Sequence, residues 1–546
     1  MEKDGTEPRM ALVLAASAAG TVFEWYDFFI FGSLAAIIAK HFFASVSSSQ
    51  AYLFALLTFA FGFAARPFGA LVFGHVGDIV GRKRAFLVTI TVMGLATFAV
   101  AVLPDYGAIG IAAPIVLVII RVLQGFAIGG EYGGAAIYVA EHAGARNRGV
   151  ATGWIQTAAG IGLVLALLVI LGARTLLGEA TFSDWGWRVP FAVSVALLAI
   201  SLWIRLRLEE SPLFRRMLAE GRASKAPLRE AFLRAANLKT MLAALVGLLM
   251  GQGVVWYTAQ FYTQFFLERV LRVDPPIVNA LVMAVTIASL PLYMGFAWLS
   301  DRVGRKPVML FGLALAAVGF IPGFQMLAQA ANPALADAAQ KSPIVVVAAP
   351  GDCSLQFDLI GKAKFVSSCD IAKSALASAG VPYDNALSPG AHPASVRIAR
   401  ESLVAPDGSK MSATELVSAK ARFGARLETM LARAGYPRSA ASDRIDVGRV
   451  LLYLMIFIVA ATALYGPQAA ALVELFPTRI RYTALSVPYH IGVGWFGGFL
   501  PATAFAIVAA TGDIYAGLWY PVVIAAAGFF ATLLFIPETR NRDISL

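Results

Sequence analysis

Residues 73–84 read FGHVGDIVGRKR and lie between two apolar runs, 51–73 and 85–103. The arrangement returns at 297–307 as AWLSDRVGRKP, again between apolar runs. Asp78-x-x-Gly81-Arg82-Lys83 matches Asp301-x-x-Gly304-Arg305-Lys306 position for position. An Asp, a Gly that permits a sharp turn and clustered Arg and Lys between two spans read as a tight loop on the cytoplasmic side, where basic residues accumulate. Two copies point to a duplicated chain.

A second pair tests the duplication. Glu141-x4-Arg146-x-Arg148 returns as Glu474-x4-Arg479-x-Arg481, with identical internal spacing. Glu141 and Glu474 lie farther apart than Asp78 and Asp301, and the excess is the length of a small domain. That excess is present in the second half alone, between Asp301 and Glu474.

Composition sets the solvent. Of 546 residues, 59% are hydrophobic and 14% charged, with mean hydropathy +0.72. A soluble domain carries about 25% charged residues, and repeated apolar runs of about 20 residues are membrane helices. The net charge of +11 is read as loop cations facing anionic headgroups, not as a nucleic-acid surface. Residues 1–9 are short and mixed in charge, and the first apolar run is too long for a signal-peptide core, so no cleaved leader is expected.

The apolar runs give twelve transmembrane spans, near 11–39, 51–75, 85–103, 112–140, 150–172, 189–206, 240–266, 278–299, 307–328, 448–472, 483–509 and 516–536. The 205–239 loop holds nine Lys and Arg, whereas loops on the opposite side hold only Lys40, Arg174, Arg188, Arg269 and Arg272. Both termini are therefore expected in the cytoplasm. The expected fold is all-α and integral to the membrane, in two six-helix bundles. Its parts are an N-terminal bundle at 1–204, a cytoplasmic linker at 205–239, C-terminal bundle helices at 240–328, an inserted α/β domain at 329–446 and the closing helices with a tail at 447–546. Parallel halves with a site between them describe a secondary transporter.

The insert follows the ninth span and is expected outside the cytoplasm. Residues 343–349 read as a strand and Pro350-Gly351-Asp352 as a turn. Residues 369–379 read as a helix ended by Gly380 and Pro382, and Ser412-x-x-Glu415 as a capping box opening a helix that ends at Gly435 and Pro437. Leu376-Ala-x-Ala-Gly-x-Pro382 recurs as Leu431-Ala-x-Ala-Gly-x-Pro437, either a small repeat or two convergent helix ends. Cys353 and Cys369, the two cysteines of the chain, both fall in the insert. In an oxidising periplasm they are expected to form a disulfide; two buried free thiols are the alternative.

Chemistry is expected where charges lie inside spans, since each costs about 2.5–3.5 kcal/mol at a helix centre and needs a partner or a wet cavity. Glu24 and Asp27 lie three residues apart on one helix face of the first span. Two carboxylates so placed suit a group that takes up and releases a proton; a salt bridge to a neighbouring helix is the other reading. Arg66 precedes the kink-forming Pro67 in the second span. Arg121, Gln124, Ile128 and Glu131 form one stripe of the fourth span, with Gly125, Gly129 and Gly133 beside it to admit another helix. Glu131 joins Glu24 and Asp27 as a proton-coupling candidate. Arg66, Arg121 and Gln124 are candidates for substrate, Arg121 either holding a carboxylate bidentately or pairing with Glu24 or Asp27. Tyr257 and Gln260 of the seventh span complete the substrate set, while His490 reads as a packing residue.

With these residues in view, the chain resembles the major facilitator superfamily, and within it the metabolite:H⁺ symporters. The motifs are Glu24-Trp25-Tyr26-Asp27-Phe28; Arg66-Pro-Phe-Gly69 leading to Gly74-x3-Asp78-x2-Gly81-Arg82-Lys83; Arg121-x2-Gln124-Gly-x3-Gly-Gly-Glu131-Tyr132-Gly133-Gly134; Trp185-Gly-Trp-Arg188-x-Pro190-Phe; Glu210-Ser-Pro212; and Phe476-Pro-Thr-x-x-Arg481-Tyr482. They cover nearly all of the chain except the insert. The resemblance implies alternating access, with Asp78, Gly81, Arg82, Lys83, Asp301, Arg302 and Arg305 forming a cytoplasmic gate. It also implies a small carboxylate or zwitterion as substrate, of the shikimate, citrate, 2-oxoglutarate, proline or betaine kind, and a proton as coupling ion. Ile79 departs from the basic residue usual after Asp78, Ala297 from a usual glycine and His490 from a frequent Asn. The expected protein is an inner-membrane, monomeric importer of an organic anion, with no cofactor, no metal, no nucleic-acid partner and no enzymatic activity. A receptor sensing ligand through the insert is the rival; the insert shows no metal cluster, nucleophile elbow or phosphate loop to support an enzyme.

Overall fold

A computed structural model describes residues 10–44, 48–354, 366–540 and 542–545. The segment expected to lack a leader, 1–9, lies outside them. Among the described residues nine helices are long and apolar enough to cross a bilayer, and a tenth crosses if Met10–Ser33 and Ala35–Phe42, bent by 64°, count as one. The long helices, numbered in chain order, are α1 (Met10–Ser33), α2 (Ser48–Ile79), α3 (Arg82–Val102), α4 (Ala112–His142), α5 (Arg148–Leu177), α6 (Arg188–Leu206), α7 (Ala235–Val270), α8 (Pro275–Val303) and α9 (Arg305–Ala331). An interposed segment carries α10 (Ser368–Ser378) and α11 (Ala413–Arg433). After it come α12 (Val447–Leu475), α13 (Arg481–Tyr489), α14 (Leu500–Thr511) and α15 (Trp519–Phe535).

The span expected as one helix at 483–509 is broken. Wide π-type turns run over His490–Gly497, and α14 begins with a proline in its first turn, whose missing N–H cannot extend the ladder. Such turns also interrupt α7 at Leu245–Leu249, Thr258–Tyr262 and Phe266–Val270. Turns of this kind gather at functional positions.

Within the first half α2 packs on α4, α1 on α5, and α3 on α4 and α6; in the second, α12 packs on α8 and α9, and α7 on α15. Contact between the halves runs through α5 with α8 and α2 with α13. The predicted glycine stripe of α4 explains the closest approach. A Cβ at Gly125 would collide with the carbonyl of Gly62, and one at Gly129 with that of Arg66. Gly133 instead faces Ser486 of α13. The turn glycines Gly81 and Gly304 have φ of 121° and 111°, which only glycine adopts without strain.

Between α9 and α12, after a short helix at Pro333–Lys341, lies a four-stranded sheet with α10 and α11. The strands are β1 (Ile344–Ala348), β2 (Asp384–Leu387), β3 (Ser395–Ile398) and β4 (Glu401–Val404), ordered β2-β1-β3-β4. The β1–β2 pair is parallel, and its crossover carries α10, while β3 and β4 form an antiparallel hairpin. Sequence reasoning found β1, α10 and α11, which opens with the expected capping box. It missed the other three strands, which are four residues each and partly exposed. Cys353 and Cys369 are disulfide-bonded, Cα to Cα 5.1 Å.

Candidate functional site

The half-site begins on α1. Asp27 is fully buried and receives Arg121 Nη1 at 3.4 Å on one oxygen and Gln124 Nε2 at 3.0 Å on the other. Gln124 also accepts from Arg121 at 2.7 Å and donates to Thr97 Oγ1 at 2.9 Å. Of the two readings open for Arg121, the structure shows the internal pairing, with Asp27 rather than Glu24. Glu24, one turn earlier and also buried, feels Arg66, Glu131, Arg205 and Asp27 as its neighbouring charges.

Glu131 has a partner that the sequence did not reveal. It pairs with Arg205 and accepts from Thr89 Oγ1 at 3.0 Å. Arg205, counted from sequence among the loop cations, lies in the last turn of α6 and is buried, its Nη1 bonded to the Phe86 carbonyl at 3.0 Å. A side chain at Gly20 would occupy the space of this guanidinium. The missing signal was a basic residue at the end of a span opposite a glycine of another.

Arg66 projects from α2 with its guanidinium 4.4 Å from the Phe63 ring centre and 5.9 Å from that of Phe28. Its Nε finds no hydrogen-bond partner among the described residues. A small central cavity of about 10 Å³ is lined by Arg66, Arg121, Gln124, Phe28 and Phe63, with Gly62, Gly125 and Ile128. Arg66, Arg121 and Gln124 thus line one space. Tyr257 and Gln260 do not line this space. Tyr257 is buried 6.1 Å from Phe63, ring to ring, and Gln260 accepts from Thr286 of α8 at 3.4 Å. Aromatic contacts close α1 against α7: Trp25 meets Trp256 at 5.0 Å and Phe29 stacks on Phe261 at 6.0 Å.

The residues expected at the gate form two matching sets at the end of the molecule that carries the basic loops. Asp78 accepts from the backbone N–H groups of Tyr482 at 3.1 Å and Thr483 at 2.9 Å, in the first turn of α13. Asp301 accepts from those of Gly149 at 2.9 Å and Val150 at 2.8 Å, in the first turn of α5. Each aspartate therefore caps a helix of the opposite half, satisfying N–H groups that a helix start leaves open. Arg82 pairs with Asp78 at 3.2 Å and donates to the Gly77 and Thr478 carbonyls. Arg305 pairs with Asp301 at 2.6 Å and Glu474 at 3.2 Å. Arg302 turns outward and stacks on Trp298 at 3.9 Å. Lys83 contributes its backbone N–H to Glu210 and its ammonium to the Leu206 carbonyl. The second sequence pair meets here as well: Arg481 binds Glu141 at 2.7 Å and Arg148 binds Glu474 at 2.9 Å, each across the halves.

Four further residues complete the symmetry. Glu210 accepts from the N–H groups of Arg82 and Lys83, and Glu538 from those of Arg305 and Lys306. Ser211 donates to Glu141 and Thr539 to Glu474. Glu210-Ser211 and Glu538-Thr539 stand slightly closer together in the chain than Glu141 and Glu474 do, so a search at fixed offset passes over them.

Comparison with known proteins agrees with this architecture. The family model described as "Sugar (and other) transporter" matches residues 12–229, 215–349 and 436–546, leaving 350–435 unmatched. A shikimate transporter of Escherichia coli (strain K12) is 37% identical over 317 residues, covering 57% of this chain and 71% of that protein. A proline/betaine transporter of the same strain is 34% identical over 328 residues, 58% of this chain and 65% of its own length. Among solved structures, the proton:xylose symporter XylE bound to 6-bromo-6-deoxy-D-glucose aligns over 98% of each chain with a TM-score of 0.64 at 16% identity. Paired loop motifs, cross-capped helices and these matches have one reading: the chain is a multi-pass membrane protein that belongs to the family described as "Sugar (and other) transporter", within the major facilitator superfamily.

Proposed function

We propose that the protein is a proton-coupled symporter importing a small carboxylate-bearing metabolite across the cytoplasmic membrane. In this reading twelve spans form two bundles, 1–204 and 240–546 apart from the insert, joined by the 205–239 linker. Both termini face the cytoplasm and 329–446 lies outside. The observation that carries the substrate class is Arg66, a buried guanidinium beside the central cavity whose Nε lacks a protein acceptor among the described residues. A substrate carboxylate would supply that acceptor, and a planar guanidinium holds one bidentately.

Asp27 and Arg121 supply the coupling. Protonation of Asp27 removes the charge that holds Arg121, leaving its guanidinium able to turn to the substrate beside Arg66. Loss of the proton restores the internal pair and weakens the hold on the substrate. Glu24, between this pair and Glu131–Arg205, offers a second proton position. The Asp78 and Asp301 caps hold the cytoplasmic side shut until the substrate is bound. The protein acts as a monomer, with the proton as its coupling ion and no other cofactor.

A zwitterionic substrate of the betaine kind is the second reading. The Phe28 and Phe63 rings at the cavity favour it, since ring faces attract an alkylammonium. Competition against uptake by reconstituted protein separates the readings. An organic acid such as shikimate should compete, betaine should do so only under the second reading, and Arg66→Gln should lower uptake by about tenfold or more. Competition by xylose with none by any carboxylate would overturn the assignment.

A further inference from the structure

A second cavity lies outside the spans, between the two helices of the α/β segment. It measures about 330 Å³, within the range of small-ligand sites. Its α10 wall is one helix face, Ile371, Ser374, Ala375 and Ser378, small beyond the first residue. The α11 wall presents Lys420, Phe423, Gly424, Leu427 and Glu428 at the matching spacing. Two amphipathic faces aimed at each other would ordinarily close on one another. Here they stand apart, and a Cβ built on Gly424 meets nothing within 4 Å.

The polar groups sit at the ends of an apolar floor. Phe423 and Leu427 are buried beneath the cleft. Lys420 stands towards one end, and Arg272, from the connection between α7 and α8, with Glu428 towards the other. Arg272 is fixed in place. Its backbone adopts φ 55°, uncommon for a non-glycine residue. Its carbonyl accepts from Ala440 N–H at 2.9 Å, and its Nη1 donates to the Pro437 and Arg438 carbonyls at 3.3 and 3.2 Å. Strained, multiply anchored backbone of this sort occurs where a side chain is held for a purpose. Partial burial pushes the pKa of both Arg272 and Lys420 down, as expected of cations drawn from water.

We propose that this cleft is a binding site for a small carboxylate with an apolar body, separate from the transport pathway. The carboxylate would meet Arg272 or Lys420 and the apolar part would lie on Phe423 and Leu427. Its position gives it access to the transporter. Arg272 directly follows the last turn of α7. The α10 helix holds the end of α14, where Lys373 donates to the Ala510 carbonyl at 3.2 Å; just beyond α10, Tyr383 N–H donates to the Gly512 carbonyl at 3.0 Å. A ligand between α10, α11 and Arg272 therefore touches groups anchored to two helices of the second half.

The test uses the full chain in lipid nanodiscs and 4-fluorobenzoate as probe, followed by fluorine NMR. Saturable binding to the unaltered protein is expected. Gly424→Leu, which fills open space in a helix and improves its propensity, should weaken binding by about tenfold or more, as should Lys420→Glu combined with Arg272→Gln. The loss caused by Gly424→Leu should be as large in an Arg66→Gln background as in the unaltered protein, which separates the cleft from the central cavity. No saturable binding, binding that survives Gly424→Leu, or equal binding of the neutral 4-fluorobenzyl alcohol would each overturn the proposal.

Discussion

Asp27 and Arg121 show what a pair of opposite charges accomplishes inside a membrane. Alone, each would be costly at the centre of a span; in the pair, Asp27 also accepts from Gln124, which in turn accepts from Arg121 and donates to Thr97. Asp27→Asn keeps a polar group of the same shape beside Gln124 but removes the titrating oxygen. The expected outcome is a folded protein that exchanges substrate across the bilayer and cannot accumulate it against a gradient. Parallel exchange and accumulation assays check this, and pH-driven accumulation by the variant contradicts it. Packing makes a separate prediction. Gly125→Leu drives a side chain into the Gly62 carbonyl and should cost about 1–3 kcal/mol, seen as a lowered melting temperature in detergent. Residues of this kind were legible in the sequence because an ionisable group in an apolar run announces itself. Arg205 was not, because a cation near a span's end reads equally well as a loop residue, and only the fold turns it inward to Glu131.

Between elements, the two halves are fastened by carboxylates at helix starts. Asp78 reaches α13 and Asp301 reaches α5 by the same geometry, so the two substitutions Asp78→Asn and Asp301→Asn should act alike. Each weakens a charge-assisted cap by about 1 kcal/mol. Ser486→Cys, placed beneath the Asp78 cap where α13 meets Gly133, reports on closure through its alkylation rate from the basic-loop side. Either Asn variant should raise that rate, and the double variant should raise it further. Unchanged rates would remove the caps from any part in gating. The repeated loop motif made these elements readable in sequence, since duplicated spacing is independent of detailed structure. The breaks in α7 and at His490–Gly497 were not readable, because an apolar helix with wide turns has the same composition as one without. Tyr257, the last residue before the turn at Thr258–Tyr262, and Gln260, within it, both lie outside the lining of the small cavity.

Across the molecule, the unequal spacing of the two motif pairs located a second-half addition without any structural information, and the described residues of 344–354 and 366–433 form a sheet with two helices there. Its strands β2, β3 and β4 escaped notice because four-residue strands carry too few alternating positions to register. The hairpin turn at Ala399, with φ 51°, lacks the glycine or asparagine that would have marked it. The Cys353–Cys369 bridge closes a loop of 16 residues, worth about 3 kcal/mol in the chain-entropy account. Cys353→Ser should therefore expose the segment to limited proteolysis while most uptake remains, because its anchors to α7 and α14 do not involve the bridge. Loss of uptake in parallel with the protease resistance would mean that the segment takes part in transport itself.

Proton-coupled import of a carboxylate-bearing metabolite is tested by uptake of labelled shikimate and betaine into proteoliposomes holding the purified chain, with an imposed pH gradient, acid outside. At least one of the two should accumulate above its external concentration. A protonophore should abolish the accumulation, and Asp27→Asn should abolish it while preserving exchange. Accumulation indifferent to the pH gradient, or transport confined to uncharged solutes, would contradict proton-coupled carboxylate import.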